Sequence, residues 1–267
     1  MSGEVDLQTD RAHGARIYDF VLGGKDNYAA DRAAAEDSLR VWPALPVHMR
    51  VNRQFMHRAS RFLATECGID QFLDVGTGIP TSPNLHEVVQ QVRPDARVVY
   101  TDNDPVVLAH ARALMPSTAR GRTAFADADL RDPDSILSAP EFRELLDLDE
   151  PVGLMLIAVV HFIEDDDEAL DVVRRIIDVL PSGSFVAATI ATDDFAPELL
   201  AGVREAYREH GEVLRFRSHA QASRFFDGLE LLDPGVVQMH KWRPDEPRTL
   251  QIPEADIAMY AGIARKP

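Results

Sequence analysis

The stretch Phe72-Leu73-Asp74-Val75-Gly76-Thr77-Gly78 decides the fold of this 267-residue chain. Three apolar residues and one acid make a short buried strand, and two glycines follow at its end. Lacking a Cβ, each glycine lets the backbone turn sharply and approach a ligand. A second run, Val98-Val99-Tyr100-Thr101, ends in Asp102-Asn103-Asp104. Asp102 follows Gly78 by 24 residues, near the ~20-residue offset at which an acid meets the hydroxyl pair of a ribose. Strand, glycine turn, helix, strand and acid together bind a nucleotide-like ligand at the carboxyl edge of a parallel sheet.

Outward from this unit, strands and helices alternate. The pattern predicts strands at 71–75, 97–101, 123–126, 153–159 and 184–189, with helices at about 83–92, 105–115, 134–146 and 166–180. Such alternation specifies an α/β, doubly wound and mostly parallel sheet. Asp104-Pro105 and Asp132-Pro133 each put an acid at a helix N-cap and proline at the first helical position. A further helix is expected at 197–210, and the segments 236–240 and 259–265 suit an antiparallel pair at the sheet edge. Before the sheet the pattern is helical but interrupted by Gly23-Gly24, Pro43 and Pro46. Residues 50–65 place Val51, Phe55, Ala59, Phe62 and Leu63 on one helical face. The expected organisation is a helical N-terminal cap over 1–66, its first 14 residues frayed, and a sheet domain over 67–267.

An apolar content of 45% and a charged content of 27% fit a globular protein with a full core. Met1 to Asp6 is acidic without an apolar signal region, and the apolar run 154–160 is too short to cross a bilayer, so the expected location is the cytoplasm. The net charge is −16 with the arginines scattered. Phosphate backbones need a basic face, which argues against nucleic acid as a partner. The single cysteine, Cys67, has no partner for an internal disulfide and no cluster for a metal.

The residues after Gly78 separate the ligand classes. A dinucleotide fingerprint places a third glycine where this chain has Thr81, inside Ile79-Pro80-Thr81-Ser82-Pro83-Asn84. Two prolines donate no backbone N–H, so an anion cradle here would be poor. A ligand without phosphates fits better, which disfavours a nicotinamide-dependent oxidoreductase.

The order of elements resembles a class I, Rossmann-like methyltransferase. Asp74, Gly76 and Gly78 match its first motif, Asp102 the acid after the second strand, and Asp127-Ala128-Asp129-Leu130 its third motif. Leu180-Pro181-Ser182-Gly183 resembles the Pro-Gly-Gly turn before the fifth strand, with serine in place of one glycine. More narrowly, Arg16-Ile17-Tyr18-Asp19-Phe20-Val21-Leu22-Gly23-Gly24-Lys25-Asp26-Asn27-Tyr28 and the turn from Pro80 to Glu87 resemble an actinobacterial S-adenosylmethionine-dependent methyltransferase family of poorly defined function. The resemblance spans nearly the whole chain. It implies S-adenosyl-L-methionine as cofactor, with Asp74 and Gly76 near its methionine portion and Gly78 permitting the close approach. It places Asp102 at the ribose hydroxyls, Asn103 beside the adenine, Asp129 at the adenine amino group and the Leu130 backbone along the ring.

Lysine is rare, occurring only at 25, 241 and 266, and Gly23-Gly24 breaks a helical run just before Lys25. Tyr18, Lys25, Asn27 and Tyr28 are therefore expected to form a lid over the cofactor's methionine end and the substrate, or else a helix–loop–helix packed on the sheet without ligand contact. His161, at the end of the fourth strand, is the candidate catalytic base, since a histidine there could take a proton near neutral pH. A structural histidine fits the sequence as well, because methyl transfer depends largely on positioning. The acidic run from Glu164 to Glu168 suits the start of a helix better than a metal site. The expected activity is methyl transfer to a small-molecule acceptor; the alternative is a sensor or regulatory protein that binds S-adenosylmethionine without transferring its methyl group. Neither the acceptor nor the oligomeric state is encoded in a readable pattern.

Overall fold

A computed structural model describes residues 7–115 and 120–267; the first six residues of the segment expected to fray lie outside it. Three helices precede the sheet: α1 (Gly14–Val21), α2 (Ala29–Val41) and α3 (Leu45–Thr65). Then β1 (Gln71–Val75), α4 (Leu85–Gln90), β2 (Arg97–Asp102), α5 (Pro105–Leu114) and β3 (Arg122–Asp127) form the first half of the sheet. The second half runs through α6 (Pro133–Leu137), α7 (Pro140–Leu145), β4 (Gly153–Leu156), α8 (Asp166–Val179) and β5 (Phe185–Ala191). After α9 (Pro197–Glu209) and α10 (His219–Ser223) come the short β6 (Glu230–Leu231) and β7 (Val237–Gln238), then β8 (Met259–Arg265).

The strand order is β3-β2-β1-β4-β5-β8-β6, with β7 also paired to β8. The first five strands are parallel, and β8 runs antiparallel to β5, β6 and β7. This is the expected doubly wound, mostly parallel sheet with an antiparallel edge. Every residue of β1, β4 and β5 is buried, as strands covered on both faces require. Adjacent side chains go to opposite faces. Phe72 joins a core shared with Phe55, Leu63 and Val203, while Leu73 joins one shared with Ile136, Val173 and Ile177. The N-terminal helices belong to the first of these cores: Ile17 and Phe55 are both fully buried.

Several elements differ from the sequence expectation, each for a local reason. Pro46 does not interrupt α3 but sits in its first turn, where the missing N–H costs no hydrogen bond. The helix expected at 134–146 is two helices, because Pro140 opens a new one. Pro133 begins α6 as expected, but the Asp132 side chain makes no capping bond. β4 stops at Leu156, short of the expected 159, because Ala158 takes a left-handed φ of 56° and residues 160–162 form a 3-10 turn. Helix α8 does begin at Asp166, with Asp165 accepting from the amides of Asp167 and Glu168. No helix among the described residues is long and apolar enough to cross a membrane.

In this order the chain leaves β1 toward β2 and β3, then returns to β4 on the other side. The carboxyl ends of β1 and β4 therefore flank a crevice, the usual ligand position in an open α/β sheet.

Candidate functional site

A cavity of about 520 Å³ opens at that crevice, walled by the ends of β1, β2 and β4 and roofed by α1, α3 and residues 211–216. Its volume lies within the roughly 300–1,000 Å³ of small-molecule sites.

The glycine turn forms part of its floor. Gly76 has φ 73° and Gly78 φ 69°, a region that side chains other than glycine rarely adopt. A Cβ on Gly76 would also lie 2.5 Å from Val159 Cγ2, so the turn after β1 nests against the segment after β4. The Gly76 amide donates to the Thr101 carbonyl at 2.9 Å, tying the turn to β2.

Asp102 is buried at the end of β2. One carboxylate oxygen accepts from the Gly78 amide at 2.8 Å and the other from the Asp104 amide at 2.9 Å. Burial raises its pKa, against the lowering effect of those two donors. Asp104 caps α5 as expected, accepting from the Val106 amide at 2.8 Å. Its second oxygen accepts from Arg16 Nε at 2.9 Å, so the acid also anchors α1.

Asp74 lines the cavity with no hydrogen-bond donor to its carboxylate among the described residues. Burial, with the charge of Asp102 adding to it, pushes its pKa to about 7, against the opposing field of Arg53. Arg53 itself, from α3, donates to the carbonyls of Thr81 and Pro83. The Thr81 amide donates to Asn84 Oδ1 at 3.0 Å, so that amide is not free for an anion.

At the β3 side, Asn103 Nδ2 donates to Asp129 Oδ2 at 2.9 Å, and Arg131 donates to the same carboxylate at 2.7 Å. Partial burial raises the Asp129 pKa, but these donors outweigh it and hold the carboxyl below its usual range. Leu130 is buried at the cavity wall.

His161 lies not on β4 but in the 3-10 turn after it, 5% exposed and lining the cavity. Neither ring nitrogen has a hydrogen-bond partner among the described residues, and Nδ1 is fully buried. Burial, with lesser effects of Arg217 and His48, lowers its pKa to about 3. The imidazole is neutral at physiological pH.

Tyr18 reaches the cavity, its hydroxyl donating to the Met49 carbonyl at 2.7 Å and accepting from Asn52 at 3.2 Å. Lys25 and Asn27 do not line it. Lys25 is exposed, and Asn27 is buried with Nδ2 donating to Asp19 Oδ2 at 2.8 Å. The Asp26 amide donates to that same oxygen at 2.9 Å, so the loop folds around the Asp19 carboxylate. The acids expected to start α8 are similarly occupied: Asp166 is held by Arg215 and Arg217.

The lining includes residues the sequence did not single out. Trp42, His48 and Asn52 come from the end of α2 and from α3, and Glu212 from the segment after α9. No periodic or motif signal marks them, although Trp42 is one of only two tryptophans in the chain.

A family model described as S-adenosyl methyltransferase matches residues 2–267. A solved structure from Streptomyces avermitilis, of a protein in a family of uncharacterised domains numbered 574, is 55% identical with a TM-score of 0.95, covering 98% of this chain and 100% of that one. A protein from Thermobifida fusca, provisionally described as a methyltransferase, is 41% identical with a TM-score of 0.88 and 97% coverage of both chains. At 11% identity, an S-adenosylmethionine-dependent methyltransferase from Methanosarcina mazei has a TM-score of 0.51, covering 74% of this chain and 92% of that one, which is a likeness of fold. No curated protein matches the chain.

Proposed function

The chain belongs to the S-adenosyl methyltransferase family, and on that premise we propose that its cavity binds S-adenosylmethionine for methyl transfer to a small-molecule acceptor. The observation that carries this is Asp74: a carboxylate facing the cavity beside the glycine turn, without a donor among the described residues. Such a group is suited to the ammonium of an amino acid, whose positive charge would favour its ionised form.

The other residues fit the remaining parts of the cofactor. Each Asp102 oxygen accepts one backbone N–H and keeps a further lone pair, which suits the ribose hydroxyls. Asn103 and Asp129 supply polar groups for the adenine edge, and Leu130 an apolar wall for its ring. Gly78, whose Cβ position meets nothing within 4 Å, leaves the floor open to close approach, and Tyr18 is held by Met49 and Asn52 at the methionine side. The cofactor supplies a methyl group on a sulfonium, ready for in-line displacement once the acceptor is positioned.

His161 stays neutral, since burial and the neighbouring Arg217 disfavour the imidazolium. It is better suited to hold an acceptor's polar hydrogen in place than to carry a full proton away. His161→Ala should therefore slow turnover while leaving cofactor affinity unchanged; loss of both would make it structural.

Calorimetry with S-adenosylmethionine, S-adenosylhomocysteine and NAD tests the central reading. The first two should bind and NAD should not, with binding weakened in Asp74→Asn. Failure of both sulfur ligands to bind would overturn it. Binding without release of S-adenosylhomocysteine across acceptor candidates would instead favour a sensor.

A further inference from the structure

Most of the charged groups of the cavity gather at the ends of β2 and β3, while Asp74 and Arg53 stand at the glycine turn and Asp19 comes from α1. Asp102, Asp104, Asp129 and Arg131 come from the ends of β2 and β3, and His13 and Arg16 stand above them. Glu212 faces this same group, its carboxyl raised chiefly by burial, against the fields of His13 and Arg131.

The other side is of different chemistry. Trp42, Val203, Tyr207, Met259, His161 and Phe162 line it, contributed by the end of α2, by α9, β8 and the 160–162 turn, and none carries a charge. The nearby Arg217 is not in the lining; its guanidinium is taken up by Asp166 and by the carbonyls of Val160 and Ile163. Trp42 lies against His48 with ring centroids 4.9 Å apart, and His161 against Phe162 at 4.4 Å.

On this wall and on the neighbouring Asn52, three buried polar atoms have no partner among the described residues: Trp42 Nε1, Asn52 Oδ1 and His161 Nδ1. Their residues are 3%, 2% and 5% exposed. A buried polar atom left unpaired is costly, and such atoms in a native protein call for an explanation. These three stand on the wall of one cavity, and together they comprise one indole donor and two groups able to accept.

We propose that this half of the cavity is the acceptor subsite and takes a small, uncharged aromatic molecule carrying a hydroxyl or amine. The inference rests on S-adenosylmethionine occupying the charged half. The aromatic walls favour a planar ring by stacking. The indole N–H and the partnerless acceptors suit a group that can both accept and donate. An ionic group would lose its hydration here, and Glu212, whose amide donates to the Tyr207 carbonyl at 3.0 Å, is itself favoured in its neutral form by burial.

Calorimetry on the protein saturated with S-adenosylhomocysteine tests the inference with three probes of one shape: 2-naphthol, 2-naphthoate and 2-naphthylmethylammonium. The naphthol should bind, and both ions should bind weaker by about tenfold or more, as burial of an unpaired charge requires. Decahydro-2-naphthol, which keeps the hydroxyl but loses the ring face, should also bind more weakly. Trp42→Phe, which keeps a ring and removes the N–H, should weaken naphthol by roughly fivefold and leave S-adenosylhomocysteine affinity unchanged. An ion binding as tightly as naphthol, or no probe binding to the loaded protein, would overturn the proposal. Failure of S-adenosylhomocysteine itself to bind would instead overturn the cofactor assignment.

Discussion

Asp102 accepts the Gly78 amide at 2.8 Å, joining the acid at the end of the second strand to the last glycine of the first turn across 24 residues of chain. Its other oxygen takes the Asp104 amide at 2.9 Å. The acid expected to hold a ribose thus also holds the turn in shape. Asp102→Asn should reveal both tasks. An amide has one oxygen, so its NH₂ group would face one of two backbone donors. The unliganded protein should lose about 1–3 kcal/mol of stability, and S-adenosylmethionine affinity should fall as well. Unchanged thermal unfolding in this variant would show that the ties to Gly78 and Asp104 do not matter to the turn.

Asp74 makes ligand binding depend on pH. Its folded pKa is raised to about 7 from the ordinary aspartate value of 3.8, so its contribution to stability is full below the unfolded value and lost as pH rises through 7. A cationic ligand reverses this preference because it favours the carboxylate. Binding below pH 7 must then release a proton, and affinity should fall by about tenfold per pH unit. Above pH 8 it should level off. Calorimetry from pH 5.5 to 8.5 should give this profile in the native protein and a flat one in Asp74→Asn. A profile flat in both would dissociate Asp74 from the ligand's charge.

Arg16 and Asp104 form a buried ion pair at 2.9 Å, their side chains 3% and 0% exposed. The pair fastens α1, and with it the roof of the cavity, to the start of α5. Removing Arg16 leaves the buried Asp104 charge with only the Val106 amide and His13 Nδ1, 3.3 Å away, beside it, and breaking a buried pair in this way costs up to about 3–5 kcal/mol. Arg16→Met should therefore lower the urea midpoint strongly. Adding Asp104→Asn to it should recover part of the loss, because the orphaned charge is then gone. Equal losses in the single and double variants would mean that Arg16 acts through packing on Tyr28, whose ring lies 5.6 Å from its guanidinium.

The parallel sheet was legible because its strands are continuous apolar runs ended by glycine or acid. β1 spans the expected 71–75, and β2 extends by one residue to the acid that closes it. Asp102 could be separated from helix capping because Asp104 before Pro105 already supplied the cap. The inner cavity was not legible. Trp42, Asn52, Tyr207 and Met259 lie far apart in sequence and meet only because α2, α3, α9 and β8 converge on one end of the sheet. Local periodicity carries no such information. The rarity of Lys25 was likewise uninformative, since composition says nothing of which way a loop residue faces.

The loop after α1 supplies the sharpest contrast between a lid and a structural turn. Asp19 Oδ2 accepts from the Asp26 amide and from Asn27 Nδ2, at 2.9 and 2.8 Å. A Cβ on Gly24 would fall 1.9 Å from Asp19 Oδ1, so glycine there is required by the carboxylate and not by backbone freedom. Gly24→Ala should displace Asp19 and cost about 1–3 kcal/mol, the usual range for overpacking. Asn27→Ala removes one of two donors from a buried carboxylate and should cost about 1–3 kcal/mol. Lys25 is exposed, so Lys25→Ala should stay within about 0.5 kcal/mol of the native protein and bind S-adenosylmethionine equally well. Thermal unfolding and calorimetry on the three variants separate the two roles. A lid that closes through Lys25 would reverse the order, with affinity lost in Lys25→Ala while its stability is unchanged.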